Sequence, residues 1–389
     1  PAALGPTPPR PDPRPTTARP APAGLYVHVP FCLTRCGYCD FNAYAGLGHL
    51  AGRYVDALRR EADLAAPAWE GDRFVSVFLG GGTPTTLEPA ALLGVLDDLR
   101  ARFPLEPGAE VTVEANPDTV DEPSLAALRA GGVTRLSMGA QSFDPAVLAA
   151  LERVHGPASV RRAFAAARAA GFHDVNLDLI YGAHGETLAS WRRTLEEAIA
   201  LGPEHVSAYA LTVEPSTPLG RKVAAGLVPA PDPDLQADMF ELACELLRDA
   251  GYVHYEVSNW ARPGFECRHN LGYWERRPYL GLGAGAHSAR GDRRWWNLRP
   301  PPAYLEAVEA GRLPVGGEER LSPEERRLEE AFLRLRTFRG LPASEVPAGA
   351  AAELLEQRLL SRSDGHLVPT ERGMLLLNEL VLALAGPDR

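Results

Sequence analysis

The chain has 389 residues, of which 45% are hydrophobic and 23% charged, and its formal net charge is −10. This composition is typical of a soluble intracellular protein, and the acidic balance argues against nucleic acid as a partner. No run of 18 uncharged apolar residues occurs, so we expect no membrane-spanning helix.

A proline-rich segment occupies residues 1–24, with nine prolines and almost no large apolar side chains. Such a segment buries too little surface to fold alone, and we predict a disordered tail. It lacks the apolar core of a secretory signal and the amphipathic pattern of a transit peptide, which favours a cytoplasmic location.

Three cysteines follow the first strand-like run at the spacing C-x3-C-x2-C, namely Cys32, Cys36 and Cys39. Three thiolates without a fourth suit an iron-sulfur cluster of the [4Fe-4S] type that keeps one iron free of protein ligands. Zinc is the alternative, because His28 or His49 is near enough in sequence to complete a four-ligand site. The chain has five cysteines, and this odd number favours metal ligation in a reducing compartment over a disulfide framework.

An apolar β-type run at residues 74–79 leads into the sequence Gly-Gly-Gly-Thr-Pro at 80–84. Because glycine has no Cβ, a ligand can approach the backbone closely at this turn. A plain strand-to-helix turn has the same composition, and the glycines alone do not distinguish the two.

Short β-type runs alternate with helical patterns between residues 25 and 213. The predicted strands span 26–29, 74–79, 110–114, 135–139, 175–180 and 206–211, and the predicted helices include 86–102, 144–154, 158–170 and 187–200. Six βα units in series favour a parallel sheet with right-handed crossovers. Six units are too few for a closed eight-stranded barrel, so the predicted fold is α/β, a partial (β/α)6 TIM-like barrel.

Polar residues end the predicted strands, where the active groups of such barrels lie. They are Cys32, Gly81, Glu114, Gln141 and Asp178, with Arg153 in the helix that follows the fourth strand. Together they could bind the hydroxyl, amino and carboxylate groups of a nucleoside–amino-acid ligand. Singly, each is equally compatible with a surface or capping role.

The pattern changes after residue 300. Helices are predicted at 301–311, 322–336, 350–360 and 371–385, with a hairpin at 362–369 whose turn is Asp-Gly. We interpret residues 25–300 as the barrel with its cysteine loop and residues 301–389 as a small α+β winged-helix-like domain. No basic recognition stripe accompanies this domain, so we expect it to cover the barrel or to contact a partner.

The cysteine loop resembles that of the radical S-adenosylmethionine (SAM) superfamily. The stretch around the cysteines, the glycine loop at 80–84 and Met-Gly-Ala-Gln-Ser-Phe at 138–143 resemble the oxygen-independent coproporphyrinogen oxidase group. Within that group, His-Asn-Leu-Gly-Tyr-Trp at 269–274 is similar to the H-N-x-x-Y-W motif of the heme chaperone branch. The similarity extends over residues 24–385 and implies a barrel of the radical SAM type.

The resemblance implies a [4Fe-4S] cluster on the three cysteines and SAM beside it. The SAM-binding positions of the family correspond here to Tyr26, Gly81, Gly82, Thr83, Glu114, Gln141, Arg153 and Asp178. Tyr38 is placed to stack on the adenine, although an ordinary packing role fits it equally.

The resemblance also implies that heme binds at the 269–274 motif. His269 is the predicted axial iron ligand, with Asn270, Tyr273 and Trp274 beside the porphyrin and Cys267 as a less favoured ligand. The arginines available for the propionates are Arg268, Arg276 and Arg277. The alternative role for His269 is that of a hydrogen-bonded core histidine.

Two features differ from the oxidases of the group. Their motif continues as C-x3-C-x2-C-x-C, whereas Cys39 is followed here by Asp40 and Phe41. They also have a longer structured N-terminal part, where this sequence has a proline-rich tail. Oxidase activity is therefore doubtful, and whether the chain is an enzyme stays open.

Three functions are compatible with these features. The first is a heme chaperone that transfers heme to acceptor hemoproteins such as those of the respiratory chain, and an acceptor embedded in a membrane would require at least a transient approach to that membrane. The second is a coproporphyrinogen III oxidase, which uses a 5′-deoxyadenosyl radical to remove hydrogen and then carbon dioxide from propionate side chains. The third is a cluster-bearing regulator or scaffold protein. The 269–274 motif favours the chaperone.

Overall fold

The computed structural model describes residues 21–346 and 348–385. Of the predicted tail at 1–24, residues 1–20 therefore lie outside the described residues. The strands in the first half are β1 (Ala23–Val29), β2 (Phe31–Cys32), β3 (Tyr44–Ala45), β4 (Phe74–Gly81), β5 (Leu105–Ala115), β6 (Arg135–Gln141), β7 (Val175–Tyr181) and β8 (His205–Ala210). Those in the second half are β9 (Val253–Glu256), β10 (Asn259–Ala261), β11 (Tyr279–Leu282), β12 (His287–Arg290), β13 (Arg293–Asn297), β14 (Val315–Arg320), β15 (Leu341–Pro342), β16 (Leu360–Ser363) and β17 (His366–Pro369).

The helices lie mainly between these strands. They are α1 (Ala51–Ala65), α2 (Pro89–Arg102), α3 (Glu122–Ala130), α4 (Pro145–Ala150), α5 (Pro157–Ala169), α6 (Leu188–Leu201), α7 (Pro218–Ala224), α8 (Pro233–Asp249), α9 (Arg268–Trp274), α10 (Pro301–Glu309), α11 (Pro323–Arg334), α12 (Ala348–Glu356), α13 (Glu371–Leu375) and α14 (Leu377–Ala385). Within residues 21–346 and 348–385, none of them is both long and apolar enough to span a membrane.

One twelve-stranded sheet forms the centre of the molecule, in the order β14-β13-β12-β11-β1-β4-β5-β6-β7-β8-β10-β9. The strands β1, β4, β5, β6, β7 and β8 are parallel neighbours in chain order, which confirms the partial (β/α)6 barrel. Strand β11 adds a parallel neighbour to β1, and antiparallel strands extend both ends of the sheet. The sequence analysis missed these extensions because they are short and partly exposed, so they lack a regular apolar alternation.

The parallel strands are covered on both faces, as their near-continuous apolar sequences require. In β7, every residue is buried except Asp178, which is half-buried. Outside the sheet, α6 packs on α8 through Trp191, whose Nε1 donates a hydrogen bond of 2.8 Å to the carbonyl of Met239. The core therefore holds the strands in register, and their carboxyl ends meet at one rim.

A buried carboxylate joins α1 to the far end of the sheet. Glu61 accepts hydrogen bonds from the backbone N–H of Gly283 at 2.7 Å, the Tyr304 hydroxyl at 2.7 Å and Nδ2 of Asn297 at 2.5 Å. Burial raises the pKa of Glu61 to about 7, and these three donors oppose the rise by stabilising the carboxylate. The network ties α1, α10, β13 and the turn after β11 into one unit.

The helix predicted at 144–154 is wrong at its end. Asp144 caps α4 as expected, with its Oδ1 accepting a hydrogen bond of 2.8 Å from the N–H of Ala146, but the helix ends at Ala150. Glu152 then adopts a φ of +54°, and the N–H of Arg153 bonds to the carbonyl of Leu148 at 2.9 Å. This is a Schellman ending, and it places Arg153 after the helix instead of inside it.

The C-terminal part combines α11 to α14 with a three-stranded sheet in the order β15-β17-β16. The predicted hairpin is confirmed, because Ser363 pairs with His366 and the two turn residues have φ values of +46° and +79°. The single helix predicted at 371–385 is wrong, since the N–H of Leu376 bonds to the carbonyl of Gly373 at 3.1 Å and this tight turn separates α13 from α14. Helix α10 packs on α1 of the barrel, and the domain division at residue 300 stays a prediction.

We predict that Glu61→Ala destabilises the fold by about 3 kcal/mol or more, because three buried donors lose their acceptor. Denaturant unfolding followed by circular dichroism measures this change. The matched control is Glu309→Ala, which removes the exposed Arg53–Glu309 pair between the same two helices and should cost less than about 1 kcal/mol. Equal effects of the two substitutions would contradict the role of the network.

Candidate functional site

The three cysteines lie in a loop that is closed by a small parallel sheet. Strand β2 pairs with β3 through Phe31 and Tyr44, so the loop leaves β1 and returns beside it. Within the loop, the N–H of Cys39 bonds to the carbonyl of Cys36 at 3.2 Å. All three thiols are free and line one cavity of about 370 Å³, which we call the cysteine cavity. Burial raises the pKa of Cys32 and of Cys39.

The glycine loop packs directly on the end of β1. The N–H of Gly82 bonds to the carbonyl of Val29 at 2.8 Å, and the N–H of Thr83 bonds to the carbonyl of Phe31 at 2.8 Å. A Cβ at Gly82 would lie 2.7 Å from the Phe31 oxygen, and Gly81 has a φ of +107° that disfavours other residues. The hydroxyl of Thr83 lies 3.6 Å from Sγ of Cys32. The glycines are therefore required by a close approach of two backbones.

Two carboxylates of neighbouring parts of the sheet line the cavity, Glu114 near the end of β5 and Asp178 in the middle of β7. Glu114 Oε2 accepts a hydrogen bond of 2.9 Å from the N–H of Gly81, and Oε1 makes none among the described residues. Asp178 accepts from Ser137 Oγ at 3.0 Å and from Asn176 Nδ2 at 2.9 Å. Burial, and then the charge of Asp178, raises the pKa of Glu114 to about 7. A ligand with donor groups would find one carboxylate oxygen of Glu114 free.

Arg153 also lines the cysteine cavity and is held by β6. Its Nη2 donates to the carbonyl of Gly139 at 3.2 Å and to Nδ1 of His155 at 3.2 Å, while Nε2 of His155 donates to the carbonyl of Ala140 at 3.0 Å. Its Nη1 donates to Sγ of Cys36 at 3.4 Å. A guanidinium fixed in this way beside a thiol is suited to an anionic group at the cluster.

The structure brings most of the predicted SAM-binding residues to the cysteine cavity. Its lining includes Tyr38, Gly81, Gly82, Thr83, Glu114, Gln141, Arg153 and Asp178. Gln141 has a φ of +63°, a strained conformation that turns the chain at the end of β6. Tyr26 is the exception, because it bonds to Nδ1 of His28 at 3.0 Å and lines a second cavity.

The cysteine cavity fits a [4Fe-4S] cluster and SAM better than a structural zinc ion. No histidine lines it in the described part of the chain. Both ring nitrogens of His28 are bonded, to the Tyr26 hydroxyl and to the carbonyl of Asn42, each at 3.0 Å, and His49 is exposed elsewhere. Three thiols with a glycine cradle, a carboxylate and an arginine match a cluster with one open iron and an amino-acid ligand.

A larger cavity of about 740 Å³ opens beside the first, and we call it the arginine cavity. Its wall carries five arginines and several aromatic side chains: Arg276, Arg277, Arg290, Arg294, Arg299, Phe41, Tyr273, Trp274, Tyr279 and Trp296. Asp40, Phe41, Gly81 and Glu114 line both cavities, so the two adjoin at the cysteine loop. The arginine cavity is within the size range of small-molecule sites, about 300–1,000 Å³.

The 269–274 motif forms α9, which is attached to β5 by Glu110. This carboxylate accepts from the N–H groups of Arg268 at 2.9 Å and His269 at 3.2 Å. His269 is 4% exposed, and burial lowers its pKa to about 3. Its Nδ1 bonds to Ser76 Oγ and its Nε2 to the Tyr273 hydroxyl, each at 2.9 Å. Iron ligation by His269 stays a prediction, and it requires one of these bonds to break.

The other predicted heme-site residues are divided between the cavity and the core. Tyr273, Trp274, Arg276 and Arg277 line the arginine cavity, whereas Asn270 does not. Arg268 instead donates to the carbonyl of Gly108 at 3.0 Å, and the buried Cys267 thiol lies against Glu110.

The sequence analysis missed Asn42, His287 and Arg299. Asn42 follows the cysteine motif, and its Nδ2 donates to the carbonyls of Ala284 and Arg299, each at 2.9 Å. His287 and Arg299 line the arginine cavity. The signal that was available in the sequence is the glycine-rich run Gly-Leu-Gly-Ala-Gly-Ala-His at 281–287.

Comparisons with known proteins agree with this geometry. The Radical SAM superfamily model matches residues 26–198, and the HemN C-terminal domain model matches residues 321–376. The chain is 46% identical over 371 residues to the heme chaperone HemW of Mycobacterium tuberculosis H37Rv, which covers 94% of this chain and 95% of the relative. It is 34% identical over 374 residues to the heme chaperone HemW of Bacillus subtilis, with 93% and 98% covered.

The solved structure of coproporphyrinogen III oxidase (HemN) from Escherichia coli, described as a radical SAM enzyme, is also similar. Its TM-score is 0.80 at 25% sequence identity, with 95% of this chain and 91% of that chain covered. The similarity therefore includes the C-terminal part as well as the barrel.

We predict that Cys32→Ser, Cys36→Ser and Cys39→Ser each reduce the iron bound after anaerobic reconstitution from about four atoms per chain to less than about one, since a cubane needs all three thiolates. Iron analysis and visible absorbance measure the loss. Cys244→Ser is the matched control, because this thiol is buried away from the cavity, and it should keep the cluster. Equal loss in the control would contradict the assignment.

We also predict that SAM binds more tightly as the pH rises from 6 to 8, by up to about tenfold, because Glu114 has a pKa of about 7 and, once ionised, is negatively charged and accepts hydrogen bonds at both oxygens. Calorimetric titration of the reconstituted protein measures this dependence. Glu114→Gln should remove the part of the pH dependence that Glu114 contributes. An unchanged pH profile in this variant would exclude Glu114 from the site.

Proposed function

This chain belongs to the heme chaperone HemW family of the radical SAM superfamily, and we propose that it binds heme and transfers it to acceptor hemoproteins. The resemblance predicted from the sequence motifs is confirmed at the level of the family. Membership implies a [4Fe-4S] cluster and SAM, and the donor groups of the cysteine cavity suit both. When bound, the cluster would supply an open iron that the amino and carboxylate groups of SAM can chelate.

The observation that carries the proposal is the arginine cavity. A porphyrin is a flat apolar ring with two propionates at one edge, and such a ligand needs aromatic walls together with cations. The cavity offers Tyr279 and Trp296 on its wall and five arginines around them. Since it adjoins the cysteine cavity at Phe41, heme bound there would lie next to the cluster loop.

Transfer requires an open path for the heme. Phe41 is 62% exposed and Arg299 is also exposed, so the edge of the arginine cavity near the cysteine loop faces solvent. Acceptor hemoproteins, including those of the respiratory chain, could reach heme from this side. Thiolate ligands need a reducing compartment, which is our ground for proposing the cytoplasm as the location.

The second candidate function is the oxidase reaction on coproporphyrinogen III. The similarity to HemN is the reason to test it. The observation against it is Phe41, which stands exposed where the oxidase motif has a further cysteine. The regulator hypothesis has less support, because several arginines of the C-terminal part are paired with acids, as in the Arg334–Glu330 and Arg326–Asp292 contacts.

We expect the reconstituted full chain to bind hemin saturably, with a shift of the Soret band, and to release it to an apo-hemoprotein. Ala289→Trp should weaken binding by about tenfold or more, because it fills the arginine cavity. Ala149→Trp is the matched control on the exposed face of α4 and should bind hemin like the wild type.

Anaerobic incubation with coproporphyrinogen III, SAM and a reductant separates the two candidate functions. The chaperone proposal expects hemin binding and no protoporphyrinogen. Product formation without saturable hemin binding would favour the oxidase, and the absence of both would contradict the two functions together.

A further inference from the structure

His287 differs from the other histidine of the arginine cavity in having free ring nitrogens. His28 also lines this cavity, but both of its nitrogens are hydrogen-bonded. The His287 ring is exposed and makes no side-chain hydrogen bond within residues 21–346 and 348–385. An imidazole without partners, on the wall of a cavity, is available to bind a metal ion.

The Trp296 ring packs against one face of the His287 ring and holds it in position. His287 pairs with Trp296 across β12 and β13, and the two rings stack with centroids 5.7 Å apart at an angle of 27°. Partial burial and the charges of Arg299 and Arg294 lower the pKa of His287, which keeps the ring neutral at physiological pH. Neutral imidazole is the form that ligates iron.

Arg299 provides the charge that a propionate would need. The other four arginines of the cavity are in ion pairs, such as Arg276 with Glu329 at 3.0 Å and Arg290 with Asp72 at 2.7 Å. Arg299 makes no ion pair or side-chain hydrogen bond in the described part of the chain, and it is exposed. It lies near His287, since its charge acts on that ring.

We infer that heme lies in the arginine cavity with its iron ligated by His287 and a propionate bound to Arg299, while His269 has a structural role. This inference rests on the proposed function and assigns its binding site. His269 is buried and bonded at both nitrogens to Ser76 and Tyr273, so its ligation would break an existing contact. Ligation by His287 breaks none.

The same wall of the cavity is attached to the cysteine loop. Asn42 donates to the carbonyls of Ala284, three residues before His287, and of Arg299. The segments that carry both proposed heme-binding side chains are therefore fixed to the loop that carries the three cysteines.

The test is a titration of the reconstituted full chain with hemin and, separately, with metal-free protoporphyrin IX. We expect His287→Ala to weaken hemin binding by about tenfold or more, to alter the Soret band, and to regain affinity when imidazole is added. Protoporphyrin IX has no iron, so its affinity should stay within about twofold of the wild type. His173→Ala, at an exposed histidine of the barrel, is the matched control and should change neither titration.

His269→Gln tests the competing ligand. Glutamine can still bond to Ser76 and Tyr273, so the fold should persist, and we expect hemin binding to remain. Arg299→Gln should weaken the binding of both porphyrins but not of hemin dimethyl ester, which lacks propionate charges.

The outcomes distinguish a failure of iron ligation by His287 from a failure of the proposed heme-binding function. Unchanged hemin binding in His287→Ala, or an equal loss of both porphyrins in that variant, would overturn ligation by His287. Loss of hemin binding in His269→Gln alone would return the ligand to His269 and leave the proposed function intact. A wild-type chain that binds no hemin would overturn both.

Discussion

The close packing of the glycine loop on the end of β1 is the contact on which the rest of the site depends. Strand β1 lies at the centre of the sheet, between β11 and β4, and its carboxyl end leads directly into the cysteine loop. Because Gly82 has no side chain, its N–H reaches the carbonyl of Val29, and this bond fixes the position at which the loop leaves the sheet. Both cavities share Gly81, so both are shaped by this one approach of two backbones.

The charged side chains around this contact differ in their burial and in their hydrogen-bond partners. Glu114 and Asp178 are both largely removed from solvent, which raises the pKa of each, and the charge of Asp178 adds to the rise at Glu114. Arg153 is held by the carbonyl of Gly139, by His155 and by Sγ of Cys36 instead of by an acid, so its charge is not neutralised by an ion pair. Charged side chains that have no ion-pair partner among the described residues are suited to a ligand that carries both an ammonium and a carboxylate group.

The arginine cavity is built differently, from the antiparallel strands that extend the barrel beyond β11. Four of its five arginines are already paired, so Arg299 has the one guanidinium of this cavity, and His287 the one imidazole, without a side-chain partner within the described residues. The link through Asn42 joins this wall to the cysteine loop. The barrel and its extension therefore form adjoining sites with separate chemistries and a shared edge.

The sequence by itself determined the six parallel strands, the three-cysteine site, most of the residues around it and the family. These features are local in the chain, because cysteine spacing, glycine runs and apolar periodicity are expressed within a few residues. The tertiary structure alone decided where α4 ends, how Tyr26 is oriented and which histidine has free nitrogens. These depend on contacts between distant segments, such as Ser76 with His269 and Asn42 with Ala284, and no local pattern encodes hydrogen bonds across about 200 residues.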